Sequence, residues 1–167
     1  MLKYKVTDNF LEKNLFFNLK EKLISPFFPW FFQEKINDNH KKDNSSYFTH
    51  ILYHNNKVNS VYFEHHAIQE LIKKLKIKNL LRIKCNLYVN TKKLEKHKPH
   101  KDLNCKNLGA IFSINTNNGK TVLYDKNKKI NIKSIENRIL LFDASSLHSS
   151  TSTSDKKFRI NINFNYL

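Results

Sequence analysis

From Leu81 to Tyr88 (Leu81-Arg82-Ile83-Lys84-Cys85-Asn86-Leu87-Tyr88) and from Phe158 to Tyr166 (Phe158-Arg159-Ile160-Asn161-Ile162-Asn163-Phe164-Asn165-Tyr166) apolar and polar side chains alternate at almost every step. Successive side chains of a β-strand point to opposite faces, so each segment carries one apolar face and one polar face. Two destinations are open for the polar faces. They meet solvent, or they line the lumen of an open barrel that receives a polar, anionic ligand.

Outward from these two segments, the chain beyond Asn79 is a series of short strand-like runs separated by turn residues such as Asn117-Asn118-Gly119, Asp125-Lys126-Asn127 and Ser154-Asp155-Lys156. Strands are expected near 80–90, 108–115, 120–124, 130–133, 138–143, 148–153 and 158–166. That spacing points to a sandwich or barrel. The N-terminal half differs. Leu2, Tyr4 and Val6 predict a short strand, and Asn9 with Glu12 resembles a helix capping box. Leu11, Leu15, Phe16, Leu19 and Leu23 recur on one helical face until Ser25-Pro26 ends the run. The aromatic stretch 26–32 reads as core or a covering flap, 37–46 as a polar loop and 47–53 as a strand. Ile68, Leu71, Ile72 and Leu75 predict an amphipathic helix within 60–77. The two helices are expected to support the back of a sheet.

The chain is long enough, at 167 residues, for one domain with its own core, and 1–167 is read as one unit. A formal charge of +16 would ordinarily point to a polyanion. Only three of the 30 basic residues are Arg (Arg82, Arg138, Arg159), the residue favoured for bidentate phosphate recognition, and the lysines spread from Lys3 to Lys157. The abundance of Lys, with 23 Asn, reads as the codon bias of an AT-rich genome and a solvated surface. Cys85 and Cys105 form no disulfide or zinc framework, and no apolar leader or spanning run is visible. The expectation is a soluble cytoplasmic protein, or one of the host cytoplasm if viral, with no membrane partner.

His97-Lys98-Pro99-His100-Lys101-Asp102 contains an H-x-D element, and His148 follows a strand-like run, Ile139 to Asp143. Two imidazoles and one carboxylate on one face of an octahedron leave three positions open, as non-haem Fe(II) oxygenases require. Alone, H-x-D is a weak signal in a chain with eight His. Arg159 strengthens it. If the strands on either side of 151–157 pair, Arg159 lies opposite about Ser150 to Ser152, on the order of 7–13 Å from His148 at a strand rise of ~3.3 Å per residue. A five-carbon dicarboxylate chelating the metal could reach a guanidinium at that distance.

With these residues in place, the C-terminal half resembles the Fe(II)/2-oxoglutarate dioxygenase superfamily, in particular the prolyl-4-hydroxylase-like branch and its short phage and marine bacterial relatives. The likeness runs through Leu81 to Tyr88, His100-Lys101-Asp102, Ala110 to Thr121, Glu136 to Asp143, His148 and Phe158 to Phe164, and more loosely through Phe27 to Trp30 and Tyr47 to His50. It implies a mainly β, α+β fold with a double-stranded β-helix (jelly-roll, cupin-like) core and two supporting helices. It further implies Fe(II) held by the catalytic residues His100, Asp102 and His148, with 2-oxoglutarate and O2 as co-substrates. Arg159 would pair with the distal carboxylate of 2-oxoglutarate, and Asn86, Tyr88 and Asn161 are further candidates for holding it. The implied reaction is a hydroxylation coupled to decarboxylation, with a substrate that is a peptidyl proline, a free amino acid, another small molecule or a modified base. The chain departs from the family pattern at Lys98-Pro99, at Lys101 inside the H-x-D element, and at Asn118-Gly119-Lys120-Thr121, where a Gly-Gly-Glu-Thr hairpin is usual.

Rival readings are a nucleic-acid-binding protein without catalysis, a cupin-type metal enzyme that ignores 2-oxoglutarate, and a dioxygenase acting on nucleic acid. His97 would give the wrong spacing to Asp102, and His40, His50, His54, His65 and His66 read as surface or satisfied core residues. Cys85 belongs to an apolar face and reads as a packing residue.

Overall fold

The computed structural model describes residues 3–35, 46–103, 105–126 and 128–167. The chain runs β1 (Tyr4–Thr7), α1 (Lys13–Ile24), β2 (Phe31–Gln33), β3 (Tyr47–His54), β4 (Lys57–Val58), a 3-10 turn (Val61–Glu64), α2 (His66–Lys74), β5 (Leu80–Val89), β6 (Leu108–Ser113), β7 (Lys120–Asp125), β8 (Lys128–Lys133), β9 (Arg138–Asp143), β10 (His148–Ser150) and β11 (Phe158–Tyr166). Among the described residues the major sheet has the order β1-β9-β6-β11-β5-β3-β2, with β4 attached to β3, and a minor sheet has the order β10-β7-β8. Together they form a jelly roll.

The register of β11 against β5 decides the layering. Arg159 faces Tyr88, Asn161 faces Asn86, Asn163 faces Lys84 and Asn165 faces Arg82, while Ile160 faces Leu87 and Ile162 faces Cys85. Polar residues therefore meet polar ones across the ladder, and all of them lie on one face of the sheet. The opposite face carries Ile83, Cys85, Phe112, Ile160, Ile162 and Phe164, which pack with Phe16, Leu19 and Leu23 of α1 and Ala67, Ile68 and Leu71 of α2. Phe16 meets Phe112 edge to face at 6.0 Å. The helices thus cover the back of the major sheet, and the polar face is left to the lumen. Arg159, Asn161, Asn163 and Asn165 are all buried, so of the two destinations open at the sequence level the lumen is the one taken.

Several local expectations change. Glu12, not Asn9, caps α1: its carboxylate accepts from the backbone N–H groups of Asn14 and Leu15 at 3.0 and 3.1 Å, while Asn9 lies outside the helix at φ 50°. The second helix is shorter than 60–77, because His65 Nδ1 caps it by accepting from the Ala67 N–H at 3.2 Å. β2 and β4 were not anticipated; each has at most three residues, too few to show a period. Asn55 and Asn56, both at positive φ, make the tight turn between β3 and β4. In the aromatic stretch, Phe28 is buried against Trp30, His50 and Tyr62, whereas Phe27, Phe31 and Phe32 are exposed. Most of the expected polar loop 37–46, together with His40, Leu2 and Asn127, lies outside the described residues. No helix among the described residues is long and apolar enough to cross a membrane.

Phe112 is fully buried between the helices and the major sheet. Phe112→Ala is expected to lower the unfolding free energy by about 3–5 kcal/mol, measured by urea denaturation. A loss below about 1 kcal/mol would show that the helices do not close this core.

Candidate metal centre

Asp102 follows β5 in a connecting segment that folds back over the mouth of the lumen. His100 and His148 form an isolated antiparallel bridge. It is closed by two backbone bonds, His100 N–H to His148 O at 2.8 Å and His148 N–H to His100 O at 3.0 Å. This pairing brings the two imidazole rings to 4.7 Å between centroids. Asp102 Oδ1 lies 3.8 Å from His100 Nε2 and 3.7 Å from His148 Nε2. One ligand atom from each of the three lies within 4.8 Å of the other two, close enough for a single ion to draw together.

The surroundings set each group in its metal-binding form. His100 Nδ1 and His148 Nδ1 face the carbonyls of Lys98 and Ser146, at 3.3 and 3.0 Å. A carbonyl only accepts, so Nδ1 carries a proton and Nε2 is the ring nitrogen turned to the centre. Burial, then the neighbouring His148, hold the pKa of His100 below its ordinary value, with Asp102 opposing. Burial by itself disfavours the charge on Asp102. Hydrogen bonding and proximity to His148, the Arg82 guanidinium and the Asn165 amide outweigh it and keep the carboxyl far below the usual carboxylate range. Asn163 and Asn165 donate to Asp102 Oδ2 at 3.1 and 2.9 Å, and Arg82 Nη2 lies 3.3 Å from Oδ1. Arg82 in turn donates to Asn165 Oδ1 through Nε and Nη2. Three inward residues at this end of the β5–β11 ladder, Arg82, Asn163 and Asn165, therefore work on one carboxylate.

Arg159 occupies the other end of the lumen. It is 1% exposed, and its donors go to Ser134 Oγ at 2.8 Å, Thr151 O at 2.9 Å and Thr121 Oγ1 at 3.3 Å. The Tyr88 ring lies 5.3 Å from its guanidinium carbon. All these partners are neutral, and among the described residues no carboxylate lies within ion-pair distance of it. The route by which it approaches His148 differs from expectation. β10 does not pair with β11; it pairs with β7 in the minor sheet, so Arg159 reaches Thr151 across the lumen rather than along a hairpin. Gly119 makes that crossing possible, since a Cβ there would come within 2.6 Å of Arg159 Cδ and 2.7 Å of Ser152 O.

Asn86, Tyr88 and Asn161 line the same cavity as the triad and Arg159, and Asn86 Nδ2 donates to Asn161 Oδ1 at 3.0 Å. Tyr88 stacks between Tyr47 and His97 at 5.5 and 5.1 Å. His97 bonds to Ser150 Oγ at 2.7 Å and does not join the metal cluster. His50 is buried against Pro29 O, and burial pushes the Cys85 thiol well above its ordinary pKa. The cavity has a volume of about 40 Å³. A larger surface depression of about 1050 Å³, lined by Lys3, Tyr4, Lys106, Tyr124 and Phe142 among others, includes none of the triad. The polar cavity is taken as the site because the convergent groups are there. Ser134 carries no signal in the sequence, and Gly119 and Thr121 stand there only as turn and hairpin residues, with nothing to tie them to Arg159. Arg82, Asn163 and Asn165 stood in the alternating polar sets, but without a register nothing tied them to Asp102.

Asn165→Ala removes one donor from Asp102 and the acceptor that orients Arg82. Affinity for Mn(II) or Fe(II), measured by anaerobic titration, is expected to fall about 10–100-fold; unchanged affinity would mean that this amide does not set the carboxylate.

No family model matches the chain, and no curated protein matches it. Solved structures do. A prolyl hydroxylase from Trichoplax adhaerens, in complex with a hypoxia inducible factor oxygen degradation domain peptide fragment, superposes with TM-score 0.69 at 14% identity, over 98% of this chain and 83% of that one. A Pseudomonas putida prolyl-4-hydroxylase gives 0.65 at 8% identity, over 99% and 93%. An oxidoreductase of the 2OG-Fe(II) oxygenase family from Burkholderia pseudomallei gives 0.71 at 6% identity, over 98% and 84%. At these identities the likeness establishes a shared fold, the jelly roll of the 2-oxoglutarate oxygenases.

Proposed function

We propose that this chain is an Fe(II)- and 2-oxoglutarate-dependent dioxygenase of the prolyl-4-hydroxylase-like branch, with 1–167 as one dioxygenase domain acting in a reducing, cytoplasmic setting. The observation that carries this reading is the buried guanidinium of Arg159, surrounded by neutral acceptors in the same small cavity as a two-His, one-carboxylate cluster. A buried cation with no counter-charge costs several kcal/mol. A dianionic ligand that bridges metal and guanidinium removes that cost. A cupin-type enzyme that ignores 2-oxoglutarate leaves Arg159 without a purpose, and surface binding of nucleic acid leaves the whole lumen without one.

The donor set fits a divalent iron: two neutral imidazole nitrogens and one ionised carboxylate, each oriented by a hydrogen bond to its other atom. Iron bound there supplies dioxygen chemistry. The net reaction takes one C–H bond of the substrate, one O2 and one 2-oxoglutarate to a C–OH group, succinate and carbon dioxide. In this reading His100, Asp102 and His148 hold the metal at the mouth of the lumen. Arg159, with Thr121 and the Tyr88 hydroxyl beside it, binds the distal carboxylate and so fixes how far the co-substrate enters. Asn86 and Asn161 form the floor between them. The apolar back of the major sheet, sealed by α1 and α2, keeps bulk water from that side.

A peptidyl proline as the group oxidised is a second reading, favoured by the two prolyl hydroxylases that share the fold. For the class itself the test is turnover. Asp102→Ala is expected to abolish iron-dependent succinate formation, read by chromatography after incubation with Fe(II), 2-oxoglutarate and O2. Succinate formation at the unmodified protein's rate would remove Asp102 from the ligand set.

A further inference from the structure

Once a metal ion binds Asp102, the Arg82 charge beside it is in surplus. Asp102 Oδ2 accepts from the amides of Asn163 and Asn165. Oδ1 is the oxygen that faces His100 Nε2 and His148 Nε2, and it is also the one that Arg82 Nη2 approaches, at 3.3 Å. A metal ion satisfies Oδ1 by itself. Two cations then share one carboxylate oxygen, and with a metal–oxygen bond of about 2.1 Å the ion lies no more than about 5.4 Å from Nη2.

The guanidinium is fixed in that position. Its Nε and Nη2 both donate to Asn165 Oδ1, at 3.1 and 2.8 Å, and Asn165 Nδ2 donates in turn to Asn107 Oδ1 at 3.0 Å. Asn165 is fully buried, and the side chains of Arg82 and Asp102 are 14% and 5% exposed. Among the described residues Asp102 is the one carboxylate within ion-pair distance of Arg82. Water screens little at such a place, so the energy of the pair of cations follows the charge on the ion itself.

We infer that Arg82 sets the oxidation-state preference of the iron, favouring Fe(II) over Fe(III). The inference rests on the dioxygenase reading and adds to that centre a role its three ligands do not fill. Repulsion between guanidinium and metal grows with the charge of the ion, so it weighs more on Fe(III) than on Fe(II). The approach of Nη2 to Oδ1 acts in the same direction, because it draws electron density from the oxygen that the more highly charged ion needs most. Oxidation of the resting centre passes one electron from Fe(II) to dioxygen, giving Fe(III) and superoxide. Arg82 opposes that loss and so keeps the iron in the state from which turnover starts. It is a positioning residue that acts through Asp102, not a ligand.

The test uses the full chain with iron alone, without 2-oxoglutarate. The midpoint potential is measured by mediated redox titration, with the ferric fraction read from its electron paramagnetic resonance signal. Arg82→Gln is expected to shift the equilibrium ten-fold or more towards Fe(III), a fall of about 59 mV for one electron. Arg82→Lys, which keeps the charge, is expected to retain most of the unmodified potential. Arg138→Gln removes a cation that pairs with Asp8 and does not line the metal cavity, and is expected to leave the potential unchanged. Should Arg82→Gln fail to fold, Arg82→Met replaces it with the same expectation. A role confined to shaping Asp102 changes the affinities for both ions alike and leaves the potential where it was. An unchanged potential in the neutral Arg82 variant, or an equal fall in Arg82→Lys or Arg138→Gln, overturns the inference while iron binds. Failure of the unmodified protein to bind iron instead sinks the dioxygenase reading, and this one with it.

Discussion

The register between β5 and β11 is the constraint on which the rest of the structure depends. With a side-chain period of two, a slip of one residue would turn Arg82, Lys84, Asn86 and Tyr88 toward the helices and Ile83, Cys85 and Leu87 into the lumen. The observed pairing sets four polar residues of one strand against four of the other. Both consequences follow from the same ladder: a dry back that α1 and α2 can cover, and a wet interior where charges find partners.

Along that interior the charges are separated by function. At the mouth, His148, Arg82 and Asn165 hold Asp102 ionised despite burial, and Asn163 also donates to it. At the far end, Arg159 is held by neutral oxygens and keeps its charge available. The third arginine, Arg138, is paired with Asp8. All three arginines of a strongly basic chain are thus engaged within the fold, which accords with reading the lysine excess as surface composition and not as a nucleic-acid footprint.

Much of this was legible in the sequence, for identifiable reasons. Strict alternation in 81–88 and 158–166 announces two-faced strands, and apolar residues at helical spacing announce α1 and the core of α2. His100, Asp102 and His148 were singled out by the H-x-D element only together with the position of Arg159 and the family resemblance, since that element alone is weak in a chain with eight His; the structure brings the three side chains together. What was not legible depends on contacts between distant segments. The turn-like sequence 151–157 suggests a hairpin, yet β10 joins β7 in the minor sheet while β11 joins β5 and β6 in the major one, so the chain crosses between the sheets there. The roles of Arg82, Asn165 and Gly119 exist only once strands from far apart are in register. Glu12 replaced Asn9 as a cap because side-chain reach, not residue preference, decides which acceptor meets the free N–H groups.

The central claim is that one cation and one small dianion fill the space between the triad and Arg159 together. Anaerobic titration of the protein with Fe(II) and then 2-oxoglutarate, followed in the visible range, tests it directly. A charge-transfer band that saturates at one iron and one 2-oxoglutarate per chain is predicted. Iron binding without such a band at saturating 2-oxoglutarate, or no iron binding at all, would contradict the account.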